Sequence, residues 1–148
     1  MNDMSAFLDI EEAPLRERLH PDIYVEPKDD FPASEDARQM AFVNHMKRDE
    51  PHIAVHATPN GGRQSDYARI RGQRMGVYAG WPDIGIDWPG GEAQIEFKDG
   101  QGNPRPDQIA CLNRLHHMGK KVAICRTRVG AINWLLSIGA PLKPGRRP

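Results

Sequence analysis

The residues with the most chemistry to offer lie between Asp83 and Lys98. Two short segments of strand character, 83–88 and 93–98, are separated by a turn containing Pro89, Gly90 and Gly91. Asp83 opens the first segment. Glu96 and Lys98 stand two residues apart on the second, so both point to the same face of a sheet. A hairpin of the two brings one carboxylate towards a carboxylate and an ammonium on its neighbour. Asp83 and Glu96 make a hard, oxygen-only donor set of the kind that Mg²⁺ or Mn²⁺ takes, and no nearby histidine suggests zinc. Such an ion activates water and neutralises phosphate charge, while Lys98 would steady the attacking water or the pentacovalent oxygens. The same alternation also describes a wet strand face of Gln94, Glu96 and Lys98 carrying an ordinary Glu–Lys pair. Spacing alone leaves both readings open.

The elements that must position this hairpin follow from periodicity and punctuation. Residues 35–47 form a predicted helix capped by Ser34, with Glu35, Gln39, Phe42 and Met46 on one stripe and Val43 beside it. Two polar residues thus open a face that becomes apolar further on. Residues 52–57 alternate as a strand. The loop 58–65 is followed by a short helix from Asp66, and Arg63, Arg69, Arg71 and Arg74 lie there with Tyr67 and Tyr78 nearby. That composition suits phosphate contact, and equally a solvated loop. Pro106 and Asp107 start a helix that Gly119 stops. Its stripe is Cys111, Leu112, Leu115 and Met118, again opened by a polar residue, Gln108. Residues 121–126 form an interior strand and 129–138 a closing helix. The order describes an α/β protein, a mixed central sheet flanked by helices on both faces.

The 148 residues fit one globular domain, placed at 34–139 between an N-terminal arm, 1–33, and a basic tail, 140–148. The arm, rich in acids and prolines, is expected to be extended or partly disordered, with a short helix over 5–13. Residues 1–36 hold 11 acids against 3 bases, and residues 37–148 hold 17 bases against 9 acids, a split of −8 and +8 within a neutral chain. A basic body favours a polyanion, and the arm would modulate access to it. The absence of a long apolar run argues against a membrane span, and the acidic start is unlike a signal peptide, so a cytoplasmic location is expected. Cys111 and Cys125 lack metal or redox spacing and are expected to be buried thiols. No P-loop is present, which leaves a nucleotide cofactor without support.

Pro82-Asp83, twelve intervening residues, and Glu96-Phe97-Lys98 resemble the PD-(D/E)xK signature of the restriction-endonuclease-like superfamily. Glu35-x-x-x-Gln39, Asn60-Gly61, Gly76, Gly80-x-Pro82-Asp83, Ile95-Glu96-Phe97-Lys98, Gly102 and Gln108 follow in the order found in VRR-NUC nucleases, over roughly residues 34–139. Trp81 departs from that pattern, at the rim of the pocket, and residues 1–33 have no counterpart in it. The resemblance implies a restriction-endonuclease-like αβββαβ core and an Mg²⁺- or Mn²⁺-dependent DNA endonuclease acting on branched DNA, such as a homodimeric junction resolvase in repair, recombination or phage DNA processing. It implies that Asp83, Glu96, the Phe97 carbonyl and Glu35 ligate the ion, Glu35 directly or through water. Lys98 would activate the water, and Gln108 would hold the site or contact the phosphate. Asn60 and Lys120 join Arg63, Arg69, Arg71 and Arg74 as candidate DNA contacts. The competing expectation is a DNA-binding module that keeps the fold without turnover.

Overall fold

In the computed structural model, which describes residues 14–58 and 65–143, the chain runs α1 (Leu15–Arg18), β1 (Tyr24–Val25), α2 (Glu35–Asp49), β2 (Ala54–Ala57), α3 (Asp66–Arg74), β3 (Ile84–Trp88), β4 (Gly91–Phe97), α4 (Pro106–His117), β5 (Val122–Cys125) and α5 (Arg128–Ser137). The five strands form one mixed sheet in the order β1-β5-β4-β3-β2. β2, β3 and β4 are antiparallel neighbours, whereas β5 lies parallel to both β4 and β1. This is the expected α/β architecture.

Alternation along the strands divides the core. Ile84, Ile86, Ile95 and Phe97 face α2 and α5, where Phe42, Met46, Ile132 and Leu135 complete a fully buried layer. Val122 and Ile124 face the other way, towards Leu112 and Leu115 of α4 and Leu19 and Ile23 beside α1. The helices start where the sequence indicates: the Ser34, Ser65 and Thr127 hydroxyls each accept from a first-turn amide, and Pro106 occupies the first turn of α4. Gly119, at φ +86°, ends α4 in a left-handed conformation that other residues rarely take.

Two expectations change. Residues 14–33 are not an extended arm. They supply α1 and the edge strand β1, and they bury Leu19 and Ile23 completely. The acids and prolines hid this because two well-spaced aliphatics and a two-residue strand carry no period. Glu26 explains why the segment is held: its carboxylate accepts from the Arg126 amide (2.5 Å), the Thr127 amide (2.7 Å) and the Thr127 hydroxyl (2.6 Å), at the start of α5. Met118 falls at the C-cap of α4 and is exposed, and Ile109 takes the buried place instead. The helix expected over 5–13, the residues Asn60 and Arg63, and the end of the tail, 144–148, lie outside the described residues. Cys111 and Cys125 are buried free thiols, as expected.

Ile23→Ala is expected to lower unfolding free energy by about 3 kcal/mol in urea titrations, and a chain beginning at Ser34 should lose at least as much. Equal midpoints for that chain and the full protein would restore the extended-arm reading.

Candidate functional site

The β3–β4 register sets the site. Ile84 pairs with Ile95, so Asp83, one residue earlier, stands opposite Glu96. Asp83 is pinned there because its Oδ2 accepts the Phe97 amide at 2.9 Å. Glu96 is on the face opposite Ile95 and Phe97, the one that α4 covers. This face is not wet. Glu96 is 0 % exposed and Lys98 6 %.

The cover is fixed by a close approach. Gly80 has φ +78°, and a Cβ there would meet the Asp107 carbonyl oxygen at 2.5 Å, so the 78–82 turn and the first turn of α4 touch backbone to backbone. That contact places Gln108, whose Nε2 donates to Glu96 Oε1 at 2.7 Å while its Oε1 accepts the Arg105 amide at 2.8 Å. Gln108 opens the α4 stripe with a polar residue because it must face a buried carboxylate. Glu35 reaches the same region from the first turn of α2. The Lys98 ammonium lies 3.5 Å from Glu96 Oε1 and 3.8 Å from Glu35 Oε2. One carboxylate oxygen each from Glu35, Asp83 and Glu96 lies within 4.8 Å of the others.

Three acids and one ammonium in this space leave an excess of negative charge. Burial, then the Asp83 charge, raises the Glu96 carboxyl to about 9, with Lys98 opposing and a proton shared towards Asp83 adding to the rise. Burial also raises the Glu35 carboxyl, again against the pull of Lys98. Glu96 Oε2 is buried and receives no hydrogen from any described donor. A buried oxygen without a partner is costly unless a proton or a cation satisfies it. The donor set is hard oxygen throughout, so the residues fit a divalent ion of the magnesium type.

The other expected residues are distributed differently. Arg69, Arg71 and Arg74 are exposed on α3, a helix that buries none of its residues, in the connection leading to Asp83. Lys120 meets Glu92 at the opposite end of β4 from Glu96 and does not join the acidic group. Trp81 turns its ring against Tyr78 (5.7 Å between centroids) and packs on the α1–α4 core layer. It therefore wedges the turn before Asp83 rather than obstructing the carboxylates.

The sequence reading missed two buried arginines. Arg126 Nη1 donates to the Asp99 and Gly102 carbonyls, both at 2.7 Å, which fastens the turn after Lys98. Arg38, one turn after Glu35, donates to the Arg126 carbonyl (2.7 Å), the Phe31 carbonyl (2.7 Å) and both Asp29 oxygens. The only sequence signal was Arg38 at i+3 from Glu35, on a helix where arginine is usually solvated.

Against known proteins, the chain matches no family model and no curated protein. A solved structure described as a VRR_NUC domain protein superposes with a TM-score of 0.59 at 25% identity, over 73% of this chain and 89% of that one. The chain has the VRR-NUC fold. Within that fold, the acidic group and Lys98 sit where β3, β4 and the first turns of α2 and α4 meet.

The Glu96 carboxyl gives a signed test. The fold holds this proton more tightly than the unfolded chain, so its contribution to stability is complete below the ordinary value of 4.5 and is lost as pH rises towards about 9. In EDTA, the unfolding free energy of the wild type should fall by a few kcal/mol relative to Glu96→Gln between about pH 5 and about pH 9. Parallel pH–stability curves would contradict the assignment.

Proposed function

We propose that this chain is a divalent-metal-dependent DNA endonuclease that hydrolyses phosphodiesters, acting on branched DNA as a homodimer in repair, recombination or phage DNA processing. The observation that carries the reading is the buried Glu96 oxygen that has no donor among the described residues, set among Asp83, Glu35 and Lys98 in a VRR-NUC fold. Asp83, Glu96, Glu35 and the Phe97 carbonyl would hold Mg²⁺ or Mn²⁺. When bound, the ion would supply a lowered pKa for water and neutralise charge on the scissile phosphate.

The chain's own groups do the rest. Lys98 keeps its ammonium between Glu35 and Glu96, where it orients the attacking water and stabilises charge that develops on the phosphate oxygens. Gln108 holds Glu96 Oε1, and the other carboxylate oxygen, which has no described donor, would be available to a cation. Asp83 is held by the Phe97 amide and needs no reorganisation. Arg69, Arg71 and Arg74, unburied and next to the turn that leads into Asp83, would neutralise backbone phosphates. A homodimer would place two such centres about a two-fold axis, which suits a substrate in which two strands are cut symmetrically.

Purified protein with Mg²⁺ or Mn²⁺ should cleave at least one member of a panel of flap, fork, four-way and linear DNA. Asp83→Ala and Lys98→Ala should each reduce the rate by at least about a hundredfold. Wild-type rates in both variants would defeat the proposal, and binding without cleavage of any substrate would favour a DNA-binding module. Replacing Arg69, Arg71 and Arg74 by alanine should reduce the salt slope of DNA affinity by about 0.9 for each phosphate that an arginine had neutralised. An unchanged slope would remove α3 from the interface.

A further inference from the structure

We propose that His20, Asp22 and His116 form a second cation site, one that selects Zn²⁺ over Mg²⁺ and joins the α1–β1 turn to the end of α4. One ligand atom from each residue lies within 4.8 Å of the other two. The His20 and His116 rings face each other with centroids 4.1 Å apart and planes inclined at 37°. Tetrahedral zinc with nitrogen and oxygen ligands needs donor atoms about 3.3 Å apart. His20 and Asp22 are exposed and His116 is half-buried, so small side-chain rotations can close the remaining gap.

Three features make this more than a chance meeting of side chains. First, the two backbones are already tied by Asn113, whose Oδ1 accepts the His20 amide at 2.8 Å and whose Nδ2 donates to the Arg18 carbonyl at 2.9 Å. The loss of freedom on binding an ion is therefore confined to side chains. Second, His116 is in the last turn of α4, where the carbonyl end of the helix dipole favours a cation. Third, the donors are uncommitted: among the described residues, neither the Asp22 carboxylate nor the His116 ring makes a hydrogen bond or an ion pair. His20 Nδ1 is engaged only by the Asp22 amide at 3.1 Å, a contact an ion at that nitrogen would displace.

Two imidazoles and one carboxylate are the donors of a zinc-type site, whereas the Glu35–Asp83–Glu96 group offers only hard oxygens. His116 is eight residues beyond Gln108, about 12 Å along the axis of α4, so the two centres are separate. Zinc binding at the second does not depend on nuclease activity at the first. A bound ion would fasten the far end of the helix whose first turn covers Glu96.

The test is titration of the full chain with Co²⁺ in millimolar Mg²⁺, read by visible absorption, with zinc as competitor. The wild type should show d–d bands that saturate at one Co²⁺ per chain and disappear on adding Zn²⁺, and Zn²⁺ should raise its melting temperature. The double variant His20→Ala/His116→Ala, with its fold checked by circular dichroism, should lose affinity by about a hundredfold or more. Asp22→Asn should weaken binding without disturbing the fold, while His117→Ala and Asp83→Ala should bind as the wild type does. Bands of equal strength in the double variant, or no bands in the wild type, would overturn the proposal.

Discussion

A carboxylate sealed inside the protein governs the rest of this structure. Glu96 is wholly buried, and water cannot satisfy it. Coulomb repulsion from Asp83 and Glu35 makes its ionisation still less favourable, and Lys98 offsets only part of this. Natural cores seldom keep such a group without a compensating partner. Here one oxygen has Gln108, and the other receives no hydrogen from any described donor. A fold selected for stability alone would place an apolar residue at this position in β4, where its neighbours Ile95 and Phe97 already pack well. The arrangement makes physical sense if the site is arranged around a divalent ion.

The supporting structure can be traced outward from that constraint. Gly80 permits α4 to approach, α4 brings Gln108, and the α2 N-terminus brings Glu35. These elements come from distant parts of the chain and would drift without a rigid connection. Arg38 and Arg126 supply it through carbonyl groups: Arg126 grips the turn after Lys98, and Arg38 grips Arg126's own carbonyl together with the segment before α2. Glu26 then binds that assembly to the start of α5. Buried arginines with this many acceptors position the backbone more than they stabilise it, since much of the gain from each bond is spent on desolvation.

Much of this was legible in the sequence, and the remainder has identifiable physical reasons for being hidden. Strand alternation and helix caps depend on neighbouring residues, so β3, β4, α2, α4 and α5 could be read locally. Asp83, Glu96 and Lys98 stood out because acids are unusual in strands, and Gln108 because it interrupted an apolar stripe. Whether their face was wet could not be read, because burial depends on α4 closing over it through a contact between Gly80 and Asp107. Leu19, Ile23 and Glu26 escaped notice within an acidic, proline-rich stretch, since packing against β5 replaces the local pattern that periodicity detects. Arg38 and Arg126 look like surface residues until tertiary structure places carbonyls around them.

We propose that Glu35, Asp83 and Glu96 form a divalent-ion centre whose most buried carboxyl carries a proton until the ion arrives. Calorimetric titration of the full chain with Mn²⁺ near neutral pH, repeated in buffers of different ionisation enthalpy, tests it directly. Saturable binding that releases about one proton per ion and is abolished by Asp83→Ala is expected. Binding without proton release, or equal binding by Asp83→Ala, would contradict it.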